Sequence, residues 1–497
     1  MRPLPEVLFD VIAARGDAVV LRDGVRALSG AEVLSAVEVR VASLARFECR
    51  RVALALDNGI AWVLWDLALL RAGCVCVPLP AFFSQAQKRH VLNSAGVDAL
   101  ICDDLEPWLA EGFLRVDRDL ARRSVDPVPQ LHPGTLKITY TSGTTGQPKG
   151  VCLGGEAMFA VADGIRQAAA DCGAVRHLCV LPLAVLLENV AGVYAPLLAG
   201  AEVMLPSSDE TGFLGTSLDA RRFVATLLRY APQSLILMPQ LLQVLVAAAE
   251  DASLRDSLNE PLRFIAVGGA RVSPELLRRA DAAGLPVFEG YGLSECASVV
   301  CLNTPSARRL GTVGRPLPHC AVRVDGSGEV LVRGPHMLGY VSEAPLDADW
   351  VATGDLGRME HGFLELRGRR KHQFITAWGR NVSPEWVEAE LTAHAPVAQA
   401  WLYGEALTEN VAVLVPRGEH VSDAELSAVV AAVNAGLPDY LRAHRWLRAE
   451  APFTAANGLA TANGRLRREA LAARYLPAID RLLARHRNPA TTPGEPA

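Results

Sequence analysis

The run Tyr140-Thr141-Ser142-Gly143-Thr144-Thr145-Gly146-Gln147-Pro148-Lys149-Gly150 gathers groups that hold an anion: four aliphatic hydroxyls, three glycines and a lysine. Glycine lets backbone N–H groups come close, hydroxyls donate to oxygens, and lysine adds a compact positive charge. The preceding Leu136-Lys137-Ile138-Thr139-Tyr140 alternates as a strand does. That sets the loop at a strand end, where α/β sheets bind ligands. The expected chemistry is phosphate binding. A flexible Gly/Ser/Thr linker is the alternative, but linkers rarely follow a strand and end in Pro-Lys-Gly. A Walker A loop is excluded, because Lys149 does not directly follow Gly146 and Gly150 stands where that motif needs Ser or Thr.

Other stretches add compatible chemistry. Glu289-Gly290-Tyr291-Gly292-Leu293-Ser294-Glu295 follows the strand-like Pro286-Val287-Phe288. Its glycines leave the face of the tyrosine ring open to a planar ligand, and Glu295 offers a carboxylate suited to Mg2+. An ordinary Gly turn with a surface Glu is the competing reading. Thr353-Gly354-Asp355 offers a carboxylate after a tight turn, of the kind that grips ribose hydroxyls. A solvated turn aspartate reads the same way. Gly268-Gly269-Ala270 ends a strand and would let a flat ligand lie on the backbone. Thr461-Ala462-Asn463-Gly464-Arg465-Leu466-Arg467-Arg468 is a cationic turn entering a helix, or a solvated basic face. His132, His177, His319 and His372 have no partner in register and read as structural or surface groups. Taken together, the stretches describe a nucleotide-triphosphate site without Walker geometry.

Composition bounds the alternatives. The balance of 49 basic against 54 acidic residues gives a net charge of −5, which removes any electrostatic argument for nucleic acid. The ten cysteines include no CxxC pair and no metal-type Cys/His cluster, and Cys296 and Cys301 have no ligand spacing. They read as buried free thiols in a reducing cytoplasm. Residues 1–23 show no basic segment followed by an apolar one, so no secretory signal is expected. Asp66 and Arg71 interrupt one apolar stretch, and Glu188 and Asn189 another, so no transmembrane span is expected.

The positioning elements read as α/β throughout. The length suggests two to four domains of ~150 residues. A helix is expected over 60–71, with strands at 74–78 and 97–102, and a charged surface connection over 106–133. After the loop, strands are expected at 178–183, 201–205, 234–238 and 264–267, with helices over 241–250 and 274–283. Ser273-Pro274-Glu275 is a helix start: N-cap, Pro at the first turn, and a carboxylate against the dipole. Short strands between Gly and Pro turns over 311–366, such as 329–333, suggest a small all-β module. Gly368-Arg369-Arg370-Lys371 opens a charged junction to a small α/β domain. There Ser383-Pro384-Glu385 repeats the helix start, 411–415 reads as a strand, and Ser422-x-x-Glu425 is a capping box. Residues 488–497 are Pro/Thr/Ala/Gly-rich and are expected to be disordered.

With these residues in place, the chain resembles the adenylate-forming superfamily of acyl-CoA synthetases, nonribosomal-peptide adenylation domains and luciferases. The likeness runs over nearly the whole sequence. Residues 141–150 resemble its phosphate loop, and Tyr291-Gly292-Leu293-Ser294-Glu295 resembles its Tyr-Gly-x-Thr-Glu motif, with Ser294 for Thr. The resemblance implies a large N-terminal domain of α/β layers plus a β module (1–368), a hinge (369–371) and a small mobile α+β domain (372–487). It also implies site roles. Thr141, Ser142, Gly143, Thr144, Thr145, Gly146 and Lys149 would bind phosphates. Gly269, Ala270, Glu289, Gly290, Tyr291, Gly292 and Ser294 would surround the adenine, with Tyr291 stacked on it. Thr144 and Glu295 would hold Mg2+, Asp355 and Arg369 the ribose, and Lys371 would be the hinge. The implied reaction forms an acyl-adenylate from ATP and a carboxylate, then passes the acyl group to the thiol of CoA or of a carrier-protein phosphopantetheine. Gly379-Arg380-Asn381 resembles the loop that the domain rotation brings towards the thiol.

Leu181-Pro182-Leu183-Ala184-Val185-Leu186-Leu187-Glu188 and Phe453-Thr454-x-x-Asn457-Gly458-Leu459-x-Thr461 resemble stretches of long-chain acyl-CoA synthetases. The acidic anchor that amino-acid-activating domains use is missing from the first of these, so a hydrophobic, fatty-type acid is expected. Two positions depart from the pattern. Val185 replaces a histidine. Arg465 stands where the family usually has the lysine that bridges carboxylate and α-phosphate. Arginine keeps the charge but is planar and bulkier. Arg467, two positions further on and expected on a helix, faces elsewhere. A nucleotide-binding protein without turnover is therefore the third reading, beside transfer to CoA and transfer to a carrier protein.

Overall fold

The computed structural model describes residues 4–141, 147–213, 217–461 and 464–487. The chain divides into two compact units, Met1–Leu366 and Arg367–Ala497. Both mix helices and sheets, and the N-terminal unit is much the larger.

The larger unit holds two broad sheets. In one, the strands Val287–Leu293, Phe264–Val267, Ser234–Leu237, Arg176–Leu178, Glu202–Met204 and Val19–Arg22 lie side by side in parallel. In the other, Thr135–Thr141, Val75–Pro78, Arg51–Ala55 and Ala99–Cys102 run parallel, and the antiparallel strand Lys149–Gly154 follows Thr135–Thr141. Parallel strands covered on both faces need apolar residues at nearly every position, and Ala99–Cys102 and Phe264–Val267 meet that need. The residues 106–133 differ from expectation. They form a short turn of helix at Glu106–Glu111 and two antiparallel strands, Leu114–Arg115 and Leu120–Arg122, that extend the second sheet. Leu120 and Ala121 are fully buried there, in a run too short for alternation to register. The expected strand at 178–183 also ends early, at Leu178; Cys179 N–H still bonds the Met204 carbonyl, but Val180 N–H turns to the Glu188 carboxylate at 3.0 Å.

The helix Ile60–Ala72 is buried on nearly every side, including its one carboxylate, Asp66. Asp66 Oδ1 accepts from Lys137 Nζ at 2.7 Å, and Oδ2 accepts from Asn189 Nδ2 at 2.9 Å and Tyr194 OH at 2.6 Å. The Cys76 thiol donates to Oδ1 at 3.4 Å. Lys137 in turn donates to the Asn189 side-chain oxygen and to Tyr194 OH. A buried ion pair is tolerable only when its remaining valences are filled in this way. The network ties the strand Thr135–Thr141 to the helix Ile60–Ala72 and the helical turn Glu188–Tyr194.

A four-stranded sheet, Ala321–Val324, Glu329–Arg333, Val351–Glu360 and Phe363–Arg369, makes up the small β module. In the C-terminal unit, the strands Val397–Tyr403, Asn410–Pro416 and Ala443–Arg448 form a mixed sheet. Strand alternation sends Ala400, Leu402, Ala412 and Leu414 into one apolar cluster with the helices Pro384–Thr392 and Asp423–Ala435. Trp401, Val411, Val413 and Val415 go to the other face with Leu471, Tyr475 and Ile479 of Arg468–Arg487. Ser422 and Glu425 complete the expected capping box, and Ser273 caps its helix through the Glu275 amide. Ser383 does not cap Pro384–Thr392; its hydroxyl points to Glu385 at 3.4 Å.

Candidate active site

Of the phosphate-binding run, Ser142, Gly143, Thr144, Thr145 and Gly146 lie outside the described residues, as do Ala462, Asn463 and the 488–497 tail. The flanks of the run are well placed. Thr141 ends one strand, Lys149 begins the next, and the two face each other in the antiparallel ladder. Lys149 Nζ donates to Glu343 Oε1 at 3.1 Å and sits 5.0 Å from the centre of the Tyr340 ring.

Tyr340 joins this corner to the second chemical stretch. It lies on the strand Gly339–Tyr340, which pairs with Lys149–Gly154. Its hydroxyl donates to Glu295 Oε1 at 2.8 Å, and Met337 N–H donates to the Glu295 carbonyl at 2.8 Å. Glu295 is half-buried in the short helical turn Ser294–Cys296, and its second oxygen has no partner among the described residues. A carboxylate with one oxygen fixed and one open suits a hard cation. Tyr340 and Glu343 were not foreseen in the sequence. A two-residue strand has no periodicity to read.

Residues 287–293 form a strand, where a Gly turn was the competing reading. Gly290 and Tyr291 pair with Leu302 and Cys301, and Gly292 and Leu293 with Val299 and Ser298. A Cβ on Gly292 would meet the Ser298 carbonyl oxygen at 1.8 Å, so the glycine is required by close backbone approach. Tyr291 OH donates to Asp355 Oδ2 at 2.7 Å. Asp355 lies within the strand Val351–Glu360 rather than after a free turn, and Thr353 and Gly354 are bonded to Val330 and Glu329 beside it. Tyr291, half-buried, and Asp355, buried, 64 positions apart, thus meet in one pair. Gly269 and Ala270 are exposed immediately after Phe264–Val267.

Glu289 faces inward. Burial pushes its carboxyl up to about 8, against the pull of the Arg271 guanidinium and the Val272 N–H. Such a group favours folding in its protonated form. Its contribution is complete below the unfolded carboxyl range near 4.5 and is lost as pH rises through about 8. Glu289→Gln should therefore gain on the parent by about 1.4 kcal/mol per pH unit between those limits, read from urea unfolding without nucleotide. Equal pH dependence of the two proteins would contradict the assignment.

In the C-terminal unit, Arg369 ends the strand Phe363–Arg369, and Lys371 lies exposed in the turn Arg370–His372. His372 Nδ1 bonds the Glu385 carboxylate, so the helix-start glutamate anchors this segment. Burial opposes ionisation of Glu385, but the hydrogen bond from His372 and the charge of Arg468 hold its carboxyl below the usual range. The other histidines are also partnered: His132 with the Tyr340 carbonyl, His177 with Ser234, and His319 with the Val299 carbonyl. Arg465 is exposed, and its backbone closes a small turn with Thr461. The helix beyond it begins at Arg468, so Arg467 precedes it and donates to the Gly458 carbonyl at 3.3 Å.

The AMP-binding enzyme family model matches residues 8–341. The long-chain-fatty-acid–CoA ligase FadD15 of Mycobacterium bovis is 28% identical over 430 residues, covering 69% of each chain. The indoleacetate–CoA ligase of Aromatoleum aromaticum is 32% identical over 340 residues, covering 61% of this chain and 62% of the relative. The crystal structure of the anthranilate CoA ligase AuaEII with anthranoyl-AMP superposes with a TM-score of 0.79 at 19% identity, over 96% of this chain and 98% of that one. It shares the fold of two units described above. The chain belongs to the AMP-binding enzyme family. The enzyme class expected from the sequence, an AMP-forming acid–thiol ligase, is the one these relatives define.

Proposed function

We propose that the chain activates a hydrophobic carboxylic acid with ATP and transfers the acyl group to the thiol of CoA. The observation that supports this best is the continuous arrangement Lys149–Tyr340–Glu295 beside Tyr291–Asp355. It links a cation to a hard-ligand carboxylate through Tyr340, and, four positions before that carboxylate, an aromatic ring to a ribose-type carboxylate. In the first step a carboxylate oxygen bonds to the α-phosphorus and pyrophosphate leaves. In the second the thiol sulfur bonds to the acyl carbon, its proton is released and AMP leaves. Lys149 and Arg465 would stabilise the charge that builds on the phosphates, and Asp355 and Arg369 would hold the ribose. Mg2+, held by Glu295 with Thr144, would neutralise phosphate charge when bound. Lys371 would be the pivot between the two steps.

The apolar run 181–188 supports an apolar acid. Leu181, Leu183 and Leu186 are in the core, and Val185, at the position of the family's histidine, is half-buried. Each substrate methylene buried against apolar side chains would contribute about 0.8 kcal/mol. The test is AMP release with a panel of fatty and aryl acids, against CoA and against a holo carrier protein. The expected result is release with one apolar acid class and CoA. Release only with the carrier would move the acceptor, and no release with any acid would leave a nucleotide-binding protein. Arg465→Lys is a companion test. A slower lysine variant would mark a site adapted to arginine, and a faster one would mark an arginine that restrains turnover.

A further inference from the structure

We propose that His177, Cys179 and Glu188 form a buried structural zinc site in the larger unit, outside the nucleotide machinery. One ligand atom from each of the three lies within 4.8 Å of the others, and all three residues are buried. A bound zinc would draw them to about 3.3–3.8 Å, from bonds of about 2.0–2.3 Å in a tetrahedron. The topology explains the meeting. His177 and Cys179 are two positions apart on the Arg176–Leu178 strand and its continuation, where Cys179 N–H still bonds the Met204 carbonyl at 2.9 Å. They therefore share one face. Glu188 opens the wide helical turn Glu188–Tyr194, a form of helix frequent at functional sites. No Cys/His spacing in the sequence suggests the cluster, because its third member arrives from that turn.

Two buried atoms point to a ligand. His177 Nε2 and Glu188 Oε2 have no hydrogen-bond partner, although their residues are 4% and 0% exposed. The other ring nitrogen, Nδ1, bonds Ser234 Oγ at 2.9 Å, the arrangement that fixes a metal-binding imidazole by its far side. Glu188 Oε1 is likewise held, by the Val180 amide at 3.0 Å. Space is kept by Gly192. A Cβ there would lie 3.1 Å from both the Glu188 carboxyl and His177 Nε2. The Cys179 thiol donates to the Gly192 carbonyl at 3.3 Å, and on loss of that proton the carbonyl oxygen would be available as a fourth ligand. On binding, the Cys179 thiol and the Glu188 carboxyl would each release a proton, and their two charges would balance Zn2+ within the core. Sulfur, nitrogen and oxygen donors together suit this borderline-soft ion. The site would brace the 181–188 run at both ends.

The test is expression of the full chain in zinc- or cobalt-supplemented medium, followed by removal of surface metal with EDTA and elemental analysis. About one zinc per chain is expected, and the cobalt form should show a thiolate-to-cobalt charge-transfer band. Cys179→Ala should abolish the band while circular dichroism stays unchanged, and Glu188→Gln should lower metal content independently. Zinc below about a tenth per chain together with no cobalt–thiolate band would overturn the site. A band that survives Cys179→Ala would also overturn it, by placing the metal on another thiol.

Discussion

Asp355→Ala is expected to lower kcat/KM for ATP by about 100-fold, with a smaller change in KM for the acid. On the proposed reading, its carboxylate accepts both ribose hydroxyls. Hydrogen bonds to a charged group are worth about 1.5–3 kcal/mol each, so the loss of both, about 3–6 kcal/mol, has two orders of magnitude as its lower end. The substitution also removes the partner of Tyr291 OH, 2.7 Å away, and so frees the ring that would lie on adenine. Asp355→Asn keeps the shape and one acceptor and should fall between the two proteins. Steady-state rates over ATP concentration, with unfolding curves to confirm that each variant is folded, decide the matter. An alanine variant within about threefold of the parent would remove Asp355 from the ribose site.

The second large effect is on stability. Lys137→Met should cost about 3–5 kcal/mol, because it leaves Asp66 charged and buried with one partner gone. Both side chains are nearly inaccessible, at 2% and 1% exposure, so water cannot replace the lost ammonium. The doubly changed protein, Lys137→Met with Asp66→Asn, should recover much of the loss, since the remaining amide and hydroxyl groups can bond without a stranded charge. The urea transition of the larger unit measures both. A single variant as stable as the parent would show that the pair contributes nothing net. Because Lys137 lies four positions before Thr141, the same variants probe how firmly the strand before the proposed phosphate loop is held.

The distribution of what sequence reading found follows from range. Local patterns were legible. The helix at Ile60–Ala72, the strand at Phe264–Val267 and the cap at Ser273 depend on neighbours a few positions apart. Alternation at 136–140 marked a strand but not that it lies inside a sheet covered on both faces, so nothing suggested that Lys137 would be buried. Resemblance singled out Tyr291, Glu295 and Asp355 individually. Their contacts were out of reach, because Tyr291–Asp355 and Glu295–Tyr340 join positions 64 and 45 apart on elements of different sheets or turns. The His177–Cys179–Glu188 cluster is local but has no recognised ligand spacing, because Glu188 arrives from a helical turn, and its histidine read as solitary.

On the proposed reading this chain makes an acyl-adenylate, with Lys149, Glu295, Tyr291 and Asp355 holding the nucleotide. Acid-dependent exchange of labelled pyrophosphate into ATP tests it most directly, because exchange requires the first half-reaction and no thiol acceptor. The account predicts exchange that appears only when an apolar carboxylic acid is added and that collapses in Asp355→Ala. Nucleotide binding without exchange for any acid, fatty or aryl, would contradict it.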